Sequence, residues 1–144
     1  MKKIMMIVAI ALLAVACNKD QAAVKKLDGT WTATSVKSTE DGVTFELIGT
    51  FVTSYTFVFD GCKLKTDEFC NVTATLVSPF GTETEADLYR VVGDGETIEM
   101  KDDASSTTIS TATITELTKS DCTLTMTDGT GADMITTVVV LKKQ

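Results

Sequence analysis

The stretch Asp121-Cys122-Thr123-Leu124-Thr125-Met126-Thr127-Asp128-Gly129 decides the fold class. Cys122, Leu124 and Met126 occupy one parity, and Thr123, Thr125 and Thr127 the other. Successive side chains of a strand point to opposite faces, so this alternation builds one apolar face and one face of hydroxyls that tolerates water. The β-branched threonines favour extended backbone. Asp128-Gly129 then supplies the positive φ angles that a tight reversal demands. The segment reads as a half-buried strand that ends in a turn.

The same pattern runs outward along the chain. Ala112 and Ile114 alternate with Thr111, Thr113 and Thr115, and Ile98 and Met100 with Thr97, Glu99 and Lys101. Further upstream Val72, Ala74 and Leu76 share a face, as do Tyr55, Phe57 and Phe59, and Val43, Phe45 and Leu47. Asp41-Gly42, Asp60-Gly61 and Asp94-Gly95 separate the alternating runs, while Ser78-Pro79-Phe80-Gly81 and Lys119-Ser120 mark two more turns. Asp102–Thr108 is the most loop-like interior stretch. Short strands joined by hairpins make an all-β, antiparallel up-and-down meander. About eight or nine strands fit between Thr30 and Lys142, enough to close into a barrel of about eight that leaves no exposed edge.

The start of the chain reads differently. Lys2-Lys3 precede an apolar run from Ile4 to Ala16. A spanning helix needs about 20 apolar residues, so this shorter run reads as a signal peptide over residues 1–16. It ends in Leu13-Ala14-Val15-Ala16-Cys17, which resembles the lipobox read by lipoprotein signal peptidase. Cys17 is then the lipidation site, where two or more acyl tails, palmitate among them, anchor a protein stably. Residues 17–26 read as the lipidated cysteine and a polar tether. Within it Asp20 caps one or two helical turns through Ala22, Ala23 and Val24, stopped by Gly29. Residues 27–144 form one domain. Lys19-Asp20, just after the cysteine, resembles the signal with which some Gram-negative bacteria export lipoproteins to the cell exterior. The expected location is the outer membrane of a Gram-negative bacterium, on its periplasmic or its surface side.

Charge and composition exclude several function classes. The chain of 144 residues carries a net charge of −7, and loss of Lys2 and Lys3 with the signal peptide takes this to −9. No basic patch exists to neutralise phosphates, so no nucleic acid partner is expected. Histidine is absent, which removes Ser-His-Asp and Cys-His catalysis and His-ligated zinc. The carboxylates Glu83, Glu85, Asp94, Glu96, Asp102 and Asp103 fall at turns or on strand faces, where solvated charge is the default. No catalytic residue, metal site or cofactor is expected, and the chain does not read as an enzyme. With Cys17 lipidated, Cys62, Cys70 and Cys122 remain. Cys62 and Cys70 are the disulfide candidates, bridging neighbouring strands across a short loop. Cys122, on an apolar strand face, reads as an inert core thiol.

Leu27-Asp28-Gly29-Thr30-Trp31 opens the first strand with Gly-x-Trp. Together with the hairpin Ile114–Thr118 and Cys122–Met126, and the closing Val138-Val139-Val140-Leu141-Lys142, it resembles small bacterial lipocalin-like lipoproteins. The resemblance spans residues 27–142. It implies a lipocalin-like barrel in which Gly29, Trp31 and Lys142 close one end, the tryptophan as a plug and the lysine stacked over it. Arg90 is the second candidate for that stacking.

Two functions remain open. An eight-stranded barrel is just wide enough to hold one small ligand or to fill itself with side chains. Phe45, Tyr55, Phe57, Phe59 and Tyr89 would line an apolar ligand pocket in the first case and form packed core in the second. The leading reading is a membrane-anchored envelope lipoprotein that binds a small apolar ligand. The alternative is a solid-barrel interaction protein, an envelope complex subunit or inhibitor. It would meet a protein partner through loops such as Asp102–Thr108 and Cys62–Cys70.

Overall fold

Threonine and aliphatic residues alternate in many stretches between Gly29 and Lys143, and the strands fall on those stretches. The computed structural model describes residues 19–64 and 68–144, so the signal peptide and Cys17 lie outside the described residues. Nine strands follow in chain order: β1 (Gly29–Glu40), β2 (Val43–Glu46), β3 (Ser54–Phe59), β4 (Cys70–Ser78), β5 (Gly81–Val92), β6 (Thr97–Lys101), β7 (Ser110–Leu117), β8 (Asp121–Asp128) and β9 (Ile135–Lys143). All pairings between these described strands are antiparallel. The order β1-β3-β4-β5-β6-β7-β8-β9 returns to β1 through a β1–β9 ladder, which closes an eight-stranded barrel. The expected meander and closure are both present.

β2 is not a stave of that barrel. It pairs only with the far half of β1, from Lys37 to Glu40, while the near half of β1, from Gly29 to Thr32, pairs with β3. A register shift between Ala33 and Ser35 bends the long first strand at the point where it leaves β3. The space this opens between β1 and β4 is taken by residues 47–53. Leu47 donates its N–H to Val36 O at 2.8 Å, and Thr53 donates to Val77 O at 2.7 Å.

Turn chemistry explains most of the connections. Asp41 and Gly42 both have positive φ, 50° and 76°, as a two-residue hairpin requires. Asp94 and Gly95 turn β5 into β6 in the same left-handed region. The expected turn at Asp60-Gly61 is not one. Gly61 lacks a positive φ, and the chain continues without regular structure through Leu64, with β4 beginning at Cys70. Gly61 is small because the Asp28 carboxylate lies against it, where an added Cβ would come within 2.8 Å of Cγ.

The segment expected to be a tether is a helix over residues 19–27 that lies across one end of the barrel. Ala23, Val24 and Leu27, spaced to share one helical face, are buried. Asp20 does not cap this helix. Its carboxylate accepts the Gly95 N–H at 2.6 Å, tying the helix to the β5–β6 turn. Gln21 reaches the β3–β4 loop on the other side, donating to Cys62 O at 2.9 Å and accepting from Leu64 N–H at 2.8 Å. The fully buried side chains concentrate beneath this helix: Trp31, Phe59, Tyr89, Ile98, Cys122 and Leu141. The opposite end, where β4 turns into β5, β6 into β7 and β8 into β9, is the mouth.

Candidate functional site

Trp31 is fully buried at the closed end, and its indole N–H donates to Leu27 O at 2.6 Å. The basic side chain over its ring is Lys143, with Nζ 5.4 Å from the ring centroid and donating to Lys26 O at 3.1 Å. This corrects the expectation of Lys142. Val139 and Leu141 face the core, and period two puts residue 143 on their side and residue 142 outside. Lys142 instead pairs with Asp121 on the outer surface, which raises the lysine's pKa and lowers the carboxylate's. Arg90 is likewise outside, bonded through Nε to Glu99 at 2.6 Å and lying 4.7 Å over Phe69. Gly29 has φ +120°, and an added Cβ would meet Lys143 Cε at 3.0 Å. The glycine of Gly-x-Trp is thus the place where the stacking lysine crosses the backbone.

Above this packed floor lies a cavity of about 140 Å³. One wall is aromatic, formed by Tyr55, Phe57 and Phe59 from β3. Tyr55 and Phe57 have ring centroids 4.3 Å apart, and Phe57 stacks on Phe59 at 6.1 Å. Met100, Leu124 and Met126 come from β6 and β8 on the far side. The chamber is largely apolar, as ligand sites commonly are, and it opens toward solvent beside the exposed Glu85. Tyr89 meets Phe59 edge-on at 5.1 Å but does not line the cavity. Its hydroxyl donates to Asp60 O at 3.1 Å, so the ring belongs to the floor, and burial holds its pKa well above the usual phenol range. Phe45 is also corrected. It is 52% exposed on β2, which has no opposing wall and so buries neither of its faces.

Glu85 and Asp87 complete the cavity wall. They stand on β5 at the same parity as Tyr89, so their side chains turn inward. Among the described residues neither forms a hydrogen bond or ion pair, and no lysine or arginine lines the chamber. Burial raises the Asp87 carboxyl pKa, and the Asp102 charge adds to it. Burial also raises the Tyr55 pKa, with further contributions from Glu85 and Asp87. Glu85 thus lines the chamber rather than standing as plain solvated charge, and Asp87, which is not among the carboxylates considered above, joins it. The signal was present in the run Glu83, Glu85, Asp87, Tyr89, Val91, where every second residue of β5 continues the face of a core tyrosine.

Cys62 and Cys70 form a disulfide with Cα atoms 5.6 Å apart, tying the β3–β4 loop to the first residue of β4. Cys122 is free and fully buried, and burial, with the Glu116 charge second, pushes its thiol up to about 12. The two loops considered as partner-binding elements lie at opposite ends, Cys62–Cys70 beside the helix and Asp102–Thr108 at the mouth. The mouth also carries exposed apolar side chains, Phe51, Phe80, Ile109 and Met134. Among the described residues no group of three or more His, Cys, Asp or Glu side chains comes together to hold a metal ion.

No family model matches the sequence, and no curated protein does. Solved structures do match. The chain is similar to lipocalin 12 from rat epididymis, with 12% identity over 84% of this chain and 67% of that one, at a TM-score of 0.57. It is also similar to the siderocalin Ex-FABP, described as functioning through dual ligand specificities, with 10% identity over 83% of this chain and 74% of that one, at a TM-score of 0.56. The fold is lipocalin-like.

Proposed function

We propose that this chain is a lipid-anchored envelope protein that binds a small, largely apolar ligand inside its barrel, and is not an enzyme. The observation that carries the reading is the apolar cavity between Phe57 and Leu124 in a closed lipocalin-like barrel. An apolar chamber of ~150 Å³ accepts a benzene-sized guest, so the ligand, or the part of it that enters, is of that size. The anchoring part rests on Lys2-Lys3, the apolar run to Ala16 and the lipobox-like residues before Cys17. The helix begins by Lys19 and crosses the closed end, so acyl chains on Cys17 would set that end toward the outer membrane and turn the mouth away from it. Lys19 and Asp20 engage the β5–β6 turn, with Lys19 Nζ 3.6 Å from Asp94. This gives them a structural role beside the export role considered above.

Native mass spectrometry of the chain from residue 17, with Cys17→Ser, tests the binding reading. The expected spectrum carries an adduct that organic extraction removes, and a chain that neither retains an adduct nor takes up small aromatic ligands overturns it. Labelling cells with radioactive palmitate tests the anchor, with incorporation expected in the wild type and lost in Cys17→Ser. The exposed Phe51, Phe80, Ile109 and Met134 favour a second reading, a protein partner at the mouth. In that case Phe51→Ser with Phe80→Ser abolishes partner capture while the melting temperature stays unchanged.

A further inference from the structure

The barrel cavity combines two features that do not serve the fold. Its volume is left unfilled by the aromatic and methionine side chains around it, and two inward carboxylates face it without a partner among the described residues. Glu85 is exposed at the chamber's edge, while Asp87 is half-buried, and a carboxylate set partly against apolar walls costs free energy unless a cation meets it. The nearest basic side chains along the chain do not supply one: Arg90 points outward to Glu99, and Lys101 is turned away as well. The Lys101 Nζ lies 4.5 Å over the Phe69 ring and donates to Ala104 O, outside the barrel. The loop at the mouth beyond Lys101 begins with two further acids, Asp102 and Asp103.

We infer that the ligand is a cationic amphiphile, with a ring-sized apolar body seated among Phe57, Phe59, Leu124 and Met126 and an ammonium head placed between Glu85 and Asp87. The inference rests on the binding reading above and names the chemistry of that same site. Asp87 is the next inward residue of β5 beyond the floor tyrosine, and Glu85 lies one further step toward the mouth. A ring lodged between Phe57 and Leu124 therefore has acids along one side over two levels. β3, separated from β5 by β4 alone, brings the Tyr55 and Phe57 rings close to the same acids, and ring quadrupoles also attract a cation. An anionic head would meet the same carboxylates as like charge, and a neutral head would leave them unpaired. The acids at the mouth would raise the local concentration of cations and repel anions.

The test uses three probes with one ring and one chain length but different heads: 2-phenylethylamine, 2-phenylethanol and phenylacetate. Calorimetry at pH 7 measures each against the chain from residue 17 carrying Cys17→Ser. The amine is expected to bind about tenfold or more tighter than the alcohol, one charge-assisted contact's worth, and phenylacetate more weakly than the alcohol. Added salt should weaken the amine and leave the alcohol unchanged. Asp87→Asn and Glu85→Gln should each lower the amine affinity more than the alcohol affinity and so narrow the gap between the two. Amine and alcohol binding equally, or a gap that survives both substitutions, overturns the inference and leaves the pocket standing. Failure of all three probes to bind overturns both the inference and the pocket reading.

Discussion

Lys142 and Lys143 are neighbours in sequence, yet their environments share nothing. Lys143 lies over Trp31 and holds the end of the helix; Lys142 makes an exposed ion pair with Asp121. Exposed pairs contribute about 0–1 kcal/mol, whereas Lys143→Ala gives up a cation–π contact of roughly 0.5–2 kcal/mol together with packing of its stem. Urea titration should therefore separate the two alanine variants, with Lys143→Ala the less stable; equal midpoints would mean that the stack contributes nothing. Gly29→Ala should cost more than either, about 1–3 kcal/mol, because it adds backbone strain at φ +120° to a clash with the lysine stem. Cys122 sets a limit at high pH. Its thiol is raised from 9.0 to about 12 in the folded chain, so the neutral thiol's contribution is whole below pH 9 and is lost as the pH rises through 12. Cys122→Val removes that loss. Circular dichroism followed from pH 8 to 12 should then show a shallower alkaline decline, with the Tyr89 contribution remaining. An identical curve would mean that Cys122 is not part of the transition.

At the scale of elements, period two made the barrel legible and local chemistry did not make its exceptions so. Cys122, Leu124 and Met126 face inward as their alternation requires, and so do Tyr55, Phe57 and Phe59. Val43 and Phe45 alternate just as well, yet β2 has only one neighbour and no opposite wall, and a sequence carries no mark of that. The helix was half legible. Its turns and its stop near Gly29 follow from residue type, but the burial of Val24 and Leu27 depends on Gln21 and Asp20 meeting loops more than 40 residues away. Because those side chains close the barrel floor, Leu27→Ala should cost about 2–5 kcal/mol, a core-sized loss from a segment that reads as a tether. A loss below about 1 kcal/mol by thermal unfolding would return the helix to the role of a tether. The carboxylates of β5 were illegible for a different reason. Solvation is the default for Glu and Asp, and only the ladder Ala74–Glu85 and Val72–Asp87 sets them against an apolar face. One seam also escapes the sequence: β7 and β8 part beyond Thr113 and Thr125, although both strands continue to Ser110 and Asp128. Past that pair β7 still bonds β6 and β8 still bonds β9, so amide hydrogen exchange should find only the alternate amides turned to the seam unprotected; uniform protection along both strands would close the seam.

Across the whole molecule, packing is graded from one end to the other. The helix, Trp31, Tyr89 and the disulfide crowd the floor, while the upper half keeps a void of about 140 Å³ behind half-buried aromatics. Sealed core cavities cost about 24 cal/mol per Å³, so a chamber of this size costs up to about 3 kcal/mol, less where water reaches it. A fold of this size is stable by only about 5–15 kcal/mol, so the void is a large sacrifice unless something occupies it. Ala74, whose methyl lines the chamber beside Glu85, is the place to ask. Ala74→Leu adds three carbons to the wall. If the chamber is a ligand site, the unliganded variant should melt at the same temperature as wild type or a few degrees higher, because filling a void recovers part of its cost. Its affinity for 2-phenylethanol should fall at least about tenfold, as the room for the ring is gone. A variant that loses stability by about 1–3 kcal/mol would show the region to be fully packed already, and the solid-barrel account with function at the mouth would then be the better one. Stability and binding moving in opposite directions is the result that only a functional cavity produces.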